Sequence, residues 1–481
     1  MTTGSKKGWI AATLGLTGAV VGAIGLLSAA FAHAETKVAA VTPKAKGTIT
    51  YTKDIAPIMQ ANCVTCHRAG EIGPFPLISY QDVKKRALQL TLVTEKKIMP
   101  PWHADSHGEF VGERRLTAAQ ISMIKQWTDE GAKMGNPSDM PVTPQYTEGW
   151  TLGKPDVILE PSKEYHLGAE GADVYRSFVL PNTNTEDKYV AAMEVRPGNS
   201  KIVHHVIAYL DGSGKARQRE AENTDGNPGY SGGGIGSGIV GSLGGWAPGN
   251  LPQLLPDGIG TLWPKGADVA LQVHYHRSGK PEADRTRIGI YFCKTPVDKR
   301  LRTLPVFAGV RIPAGEANYT TRSFMMPIMT DVTILQVMPH MHLLGKDMTI
   351  TANIAGSTAK QLVSVPNYDF NWQTTYRYKE PVKVPKGSTV SLVAHYDNSA
   401  SNPRNPSKPP REVGWGEQTN DEMCLGFVYY TIDAERISKG EKVEDYLDKL
   451  MGMGGRGGKQ ASKPRPAQTD TTTDNAPAAK P

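Results

Sequence analysis

The sequence predicts a multidomain protein: a small all-α unit followed by two mostly antiparallel β-sandwich, jelly-roll-like domains. Three observations carry this. At 481 residues the chain calls for roughly three units, taking about 150 residues per domain. From about residue 49 to 135 apolar residues recur at helical spacing, whereas from about 155 to 434 short alternating segments dominate. The 50 Gly and 35 Pro exceed average usage and favour short strands joined by turns. Hydrophobic content of 39% with 21% charged residues is globular. The net charge of +7 is modest for this length and no Lys/Arg stripe is interleaved with aromatics, so no nucleic-acid partner is expected.

The first 34 residues read as a secretory signal peptide: Lys6 and Lys7, a Gly/Ala/Leu run, then Ala32-His33-Ala34 before Glu35. The mature chain is expected in the periplasm, an oxidising space. The alternative is an uncleaved anchor, because Trp9 to Phe31 is long enough to cross a bilayer; a membrane is a partner only in that case. Residues 35–47 have no apolar period and form a linker.

In the α unit, residues 48–137, DIAPIMQANC, SYQDVKKRALQLTLVTEKK and TAAQISMIKQWTDEGAKMG predict three amphipathic helices, the last capped by Thr117 and closed by Gly135. A Pro-rich linker covers 138–154. The strands VYRSFVLP, KIVHHVIAYL, DVALQVHYH and RIGIYF place a first sandwich at 155–300. A second, at 301–440, is predicted from DVTILQVMPH, DMTITANI, TVSLVAHYD and CLGFVYYTI. GNPGYSGGGIGSGIVGSLGGWAPGN is Gly-rich enough to be a long loop, and the low-complexity tail at 441–481 is expected to be disordered.

Cys63-Val64-Thr65-Cys66-His67 matches C-x-x-C-H, the attachment site of one covalent c-type haem, with His67 as an axial ligand. A zinc half-site lacks a second ligand pair nearby, and a thioredoxin-like pair lacks a βαβ frame. Met99 in KIMPPWHAD is the expected sixth ligand, on a Pro-stiffened segment after a helix; Met59, Met123, Met134, His103 and His107 also lie in the unit. The unit resembles a small monohaem cytochrome c.

The histidines of the sandwich region cluster: His204 and His205, His274 and His276, His340 and His342, with His395 alone. Three paired clusters on strands point to metal. Residues i and i+2 share a strand face, so His340 and His342 can reach one ion, and spacing favours His274 with His276 equally. His204 and His205 would point to opposite faces unless the strand twists locally or different ring nitrogens are used.

HHV at 204–206, LQVHY at 271–275, PHMHLLGK at 339–346 and EMC at 422–424 occur in the order and context of the copper type II, ascorbate-dependent monooxygenases, and the chain resembles that family over about residues 150–434. The segment WAPGNLPQLLPDGIG, 246–260, is similar to the family's approach to its third histidine. The resemblance implies two copper ions: His204, His205 and His274 hold the electron-transfer copper, and His340, His342 and Met423 the oxygen-activating one, where the chemistry occurs. It implies hydrogen abstraction from a substrate C–H and hydroxylation with O2, the second electron crossing from the other copper. Gln272 matches a glutamine near the first site.

The chain departs from the family where a peptidylglycine carboxylate is anchored. Met338, Leu425 and Phe427 replace an arginine, an asparagine and a tyrosine, which points to a less polar substrate. Cys424 lacks its usual partner, about where His395 stands, and either bonds Cys293 or stays reduced. The expectation is therefore an exported copper-dependent monooxygenase, an oxidoreductase acting on a small organic substrate with O2. Electrons would come from an ascorbate-like reductant or a redox protein and pass through the haem. A haem/copper electron-transfer or copper-binding protein without hydroxylase activity would share every one of these ligands.

Overall fold

A computed structural model describes residues 44–146, 149–232 and 238–445, so the expected signal segment and nearly all of the expected tail lie outside the described residues. Within them the protein is mostly β, in several sheets, with few helices.

Helix α1 (Ala56–Asn62) is entered through a π-helical turn, Tyr51–Ile55, and carries Pro57 in its first turn, where a missing N–H costs no bond. The next predicted helix divides into α2 (Tyr80–Lys84) and α3 (Ala87–Glu95). Arg86 between them leaves helical geometry, and its guanidinium lies over the Phe75 ring at 3.9 Å. Helix α4 (Ala118–Asp129) opens on the expected Thr117 cap, paired with Gln120. It closes at Gly131 (φ +88°) rather than Gly135, which instead turns the chain tightly against Thr50 and Thr52. Ile49, Tyr51, Ile55 and Trp127 centre this core.

Between α3 and α4 the chain crosses to the far sandwich as a strap. Ala104 and Phe110 are buried in that sandwich's core with Trp102 packed against it. Backbone bonds fasten the strap: Val111 N–H to Arg377 O and Asp105 N–H to Ser364 O, each 2.8 Å. The helical unit is thus stitched to the second sandwich as well as tethered by residues 138–154.

The first sandwich has two five-stranded sheets. The back sheet runs Val157–Leu159, Arg287–Phe292, Lys188–Arg196, Ile259–Trp263 and Lys299–Arg300. The front sheet, which carries the histidines, runs Tyr230–Ser231, Val174–Leu180, Asp268–Tyr275, Val203–Asp211 and Ile239–Trp246. The Gly-rich stretch expected as a long loop supplies the edge strand Ile239–Trp246. Pairing with Val203–Asp211 through two register shifts satisfies its backbone, and Gly241 and Gly244 take the positive φ this path needs.

In the second sandwich a sheet of Arg302–Phe307, Leu425–Ile432, Val332–His340 and Tyr376–Val384 shares one core with a sheet built on Tyr319–Arg322, Thr389–Tyr396, Gly345–Asn353 and Lys360–Val365. Val337 and Val428 face that core, while Met338, His340 and Phe427 face the first sandwich.

Because Phe110 fills the core of the second sandwich from the strap, Phe110→Ala should destabilise that sandwich by about 3–5 kcal/mol. Hydrogen exchange would check this: the loss of protection should fall on the strand Tyr376–Val384 and leave α1 and α4 protected.

Candidate metal centres

The first three histidines converge. His205 and His274 stand opposite each other on neighbouring strands, and a register shift between Val203 and His205 displaces His204 out of the regular pleat. That irregularity answers the adjacency problem: both neighbours turn to the same side. His204 Nδ1 and His274 Nδ1 each lie 3.3 Å from His205 Nδ1. All three offer a ligand atom within 4.8 Å of one another. His274 is fully buried, stacked on Tyr175 at 4.1 Å, and its Nε2 lies 2.9 Å from Asp173 Oδ2. A proton on Nε2 donated to that carboxylate leaves the Nδ1 lone pair for a metal. His276 is exposed and holds the other oxygen of Asp173 at 3.0 Å, so the spacing that linked His274 with His276 brings them to one carboxylate. Burial pushes the His204 imidazole down to about 3 and His205 well below its ordinary value, with neighbouring imidazoles adding to the shift. Both rings are neutral at neutral pH, the form that binds metal.

The second group presents the other ring nitrogen. His340 donates Nδ1–H to Gln373 Oε1 at 2.8 Å, and His342 donates Nδ1–H to the Asp421 carbonyl at 3.0 Å. Each Nε2 is thereby left as the metal-binding atom. The rings are 5.2 Å apart and perpendicular at 89°. Met423 lines the same cavity. Glu422 ties the set together: its fully buried carboxylate accepts the backbone N–H of His342 at 2.9 Å, of Leu344 at 2.7 Å and of Met423 at 3.3 Å. Burial raises this acid to about 8 against the pull of those N–H groups.

His205 of the first group lines the same cavity of about 810 Å³ as His340, His342 and Met423 of the second, between the sandwiches. Phe370 stands between the two groups, stacked on His204 at 4.7 Å and edge-on to His342 at 5.4 Å. Thr419 of the second sandwich donates to Asp173 Oδ2 at 2.9 Å, so the carboxylate that orients His274 also joins the two sandwiches. Met338 pairs with Phe427 and His340 with Leu425 across neighbouring strands, and all four line the cavity. Gln272 lines it from the first sandwich.

At the pentad the chain turns tightly after α1, with Cys66 N–H and His67 N–H both bonded to the Cys63 carbonyl at 3.2 and 2.9 Å. His67 Nδ1 is 3.0 Å from the Phe75 carbonyl, which frees Nε2. Gly73 is required beside them, since a Cβ there would lie 2.6 Å from the Cys66 carbonyl and 2.9 Å from the His67 ring. Burial pushes the Cys63 thiol up to about 12 and the Cys66 thiol upward, the reverse of a redox-active dithiol. Arg86 and Arg114 each bring a buried Nε–H without a partner, while their charges act on His67 and Cys66 respectively. Met59 is committed to the helical core, Met123 packs against it and Met134 is exposed. Met99 is half-buried on the Pro100-Pro101 segment. His103 is half-buried with Nδ1 at the Asn367 carbonyl, and His107 is exposed.

Cys293 and Cys424 are free, so no bond joins them. His395 pairs with Asp347 at 2.7 Å. Asp173, Gln373, Phe370 and Thr419 belong to no motif, and only Glu422, adjacent to Met423, had a signal in the sequence.

Loss of an acceptor behind a ligating histidine typically costs 10–100-fold in metal affinity. Asp173→Ala should weaken Cu(II) binding at the three-histidine centre by about that factor, and Gln373→Ala should do so at the other pair. Calorimetric titration of each variant checks that the two effects fall on different sites.

Residues 311–444 match the C-terminal domain of the copper type II ascorbate-dependent monooxygenase family. The putative DBH-like monooxygenase protein 2 of Homo sapiens is 23% identical over 248 residues, covering 48% of this chain and 47% of that protein. DBH-like monooxygenase protein 2 of Mus musculus is 23% identical over 252 residues, covering 48% and 38%. The chain thus spans less than half the length of either relative. Among solved structures, PNGase F, a glycosylasparaginase from Flavobacterium meningosepticum, aligns at 14% identity and a TM-score of 0.25 over 58% of this chain and 96% of that one, a likeness too slight to carry an argument. The cavity-facing His340 and His342 and the adjoining Met423 all fall inside the matched span, and the family these comparisons support is that of the copper type II, ascorbate-dependent monooxygenases.

Proposed function

We propose that this chain is an exported, copper-dependent monooxygenase that hydroxylates a C–H bond of an apolar organic substrate, using O2 and electrons relayed by a covalently held haem. The observation that carries the reading is the convergence of three Nδ1 atoms, with the His205 ring lining the same cavity as a His/His/Met set. His204, His205 and His274 would hold one copper. His340 and His342, through Nε2, and Met423 would hold the other, the thioether favouring Cu(I). Copper there supplies one-electron redox chemistry and activation of O2.

The chain's own contribution is placement and exclusion of water. Met338, Leu425 and Phe427 make the wall beside His340 apolar, so a substrate is held by burial and shape. No guanidinium stands at 338 to fix a carboxylate. A purely electron-transferring protein would need no such cavity, and its presence beside Met423 favours the enzyme. At the pentad, Cys63 and Cys66 would hold the haem covalently, and His67 through Nε2 and Met99 would be its iron ligands. The buried, partnerless Nε–H groups of Arg86 and Arg114 suit the carboxylates that a haem carries. An ascorbate-like reductant or a redox protein would supply the electrons from outside.

Metal analysis of purified, copper-loaded protein should return two coppers and one haem per chain, with His204→Ala and Met423→Ala each weakening a different copper. Lack of stoichiometric copper would overturn the reading. Isotopically labelled O2 should place one labelled oxygen in the product. Met338→Arg should improve binding of carboxylate-bearing test ligands on the order of ten-fold, as a charge-assisted hydrogen bond of ~1.5 kcal/mol implies, which equilibrium binding would check. Replacement of Met99 should abolish the far-red band that marks methionine ligation of ferric haem, and retention of the band would assign the sixth ligand elsewhere.

A further inference from the structure

The cavity wall supplied by the second sandwich is laid out in rows. Across its sheet His340 pairs with Leu425, Met338 with Phe427, and Gln336 with Tyr429. The flanking strands extend the rows, setting Pro305 beside Phe427, Thr303 beside Tyr429 and Arg377 beside Gln336. The residues between them along each strand, Leu304, Val337, Tyr376 and Val428 among them, are buried in the sandwich core. The row residues therefore face outward, and all of them line the cavity.

Read outward from His340, the first row carries a metal ligand, the second is apolar and the third is polar. Gln336 stands four positions before His340, and Tyr429 four after Leu425. At ~3.3 Å per residue the polar row lies about 13 Å from the ligand row.

The polar row is short of partners. No side-chain hydrogen bond engages Thr303, Gln336 or Tyr429 among the described residues. Arg377 is half-buried and uses one nitrogen, Nη1, which donates to the Leu254 carbonyl at 2.5 Å and reaches Gln253 Oε1 at 3.5 Å. It meets no carboxylate among the described residues, and burial lowers its pKa with no anion to offset the shift. Arg302, by contrast, is answered by the buried Glu435 at 2.8 Å. A guanidinium withdrawn from water without an anion is costly, and its planar fork suits a carboxylate that enters by the cavity.

We infer that the cavity takes an elongated substrate with an apolar body and a carboxylate at one end. Arg377 binds the carboxylate with Gln336 and Tyr429 beside it, the body lies over Met338, Phe427 and Pro305, and the far carbons reach His340 and Met423. Only the choice of that far end as the reacting one rests on the hydroxylase reading above. A carboxylate held at the second row would meet a thioether and a phenyl ring, whereas at the third it meets a positive charge. A saturated chain of about ten carbons, with C–C bonds of about 1.5 Å, spans the rows.

Calorimetric titration of the copper-loaded full chain with decanoate, 1-decanol and decylammonium tests this. Decanoate should bind on the order of ten-fold more tightly than 1-decanol, and decylammonium more weakly than either. In Arg377→Gln the advantage of decanoate should vanish while 1-decanol binds as before; a purely structural role for Arg377 would weaken both alike. Arg377→Lys, which keeps the charge without the fork, should retain part of the preference. Tyr429→Phe, which removes one hydroxyl, should weaken decanoate by a few-fold. Failure of wild type to bind decanoate, equal binding of acid and alcohol, or a preference that survives Arg377→Gln would each overturn the inference. Metal analysis of the same samples keeps the two proposals apart. A chain that holds no stoichiometric copper yet shows the Arg377-dependent preference would lose the hydroxylase reading and keep the carboxylate site.

Discussion

The orientation of the candidate metal ligands depends on what holds the far nitrogen of His274, His340 and His342. A histidine ring has two nitrogens, and the one that bonds a carboxylate or carbonyl decides which lone pair is left. Asp173 behind His274 turns Nδ1 inward, while Gln373 behind His340 and the Asp421 carbonyl behind His342 turn Nε2 inward. His274 thus offers the opposite ring nitrogen to His340 and His342, because its acceptor takes Nε2 and theirs take Nδ1. Burial does the rest, keeping His204, His205 and His340 unprotonated at neutral pH.

Those acceptors also tie the large units into one object. Asp173 serves His274 and Thr419 together, so the orientation of a ligand in one sandwich depends on contact with the other. Phe370 stands between the centres, and its ring is shared by His204 and His342. The cavity beside them combines polar ligands at one patch with Met338, Leu425 and Phe427 along the same sheet face.

The helical unit belongs to the same object. Its strap spends Ala104 and Phe110 on the core of the second sandwich, and Arg114 at the end of that strap is positioned by the Gly249 carbonyl of the first. A flexible tether alone would set an effective concentration, whereas a strap hydrogen-bonded to a sheet sets an orientation. This distinction matters for the proposed haem, because electron coupling depends on fixed contacts more than on nearness in the average.

Much was legible in the residues alone. Alternation of Val, Ile and Tyr located the strands that carry His205, His274 and His340, and the C-x-x-C-H spacing singled out Cys63, Cys66 and His67, which the structure places in one tight turn. The i, i+2 spacing predicted that His340 and His342 share a side, and their rings lie 5.2 Å apart, although the strand ends at His340 and His342 follows it. The same spacing failed for His274 with His276: both histidines that follow a strand end are free of the pleat, but Glu422 and the Asp421 carbonyl hold His342 inward while His276 turns to solvent. It could not foresee the register shift that turns His204 beside His205, since a bulge is decided by the neighbouring strand. Nor could it find Asp173, Phe370, Gln373 or Thr419, which lie far along the chain from the histidines they serve. Local period and spacing are properties of consecutive residues, so the sequence determined which side chains could bind metal. Which nitrogen each one offers, and which groups share a cavity, depended on contacts between distant segments that only the packed sandwiches bring together.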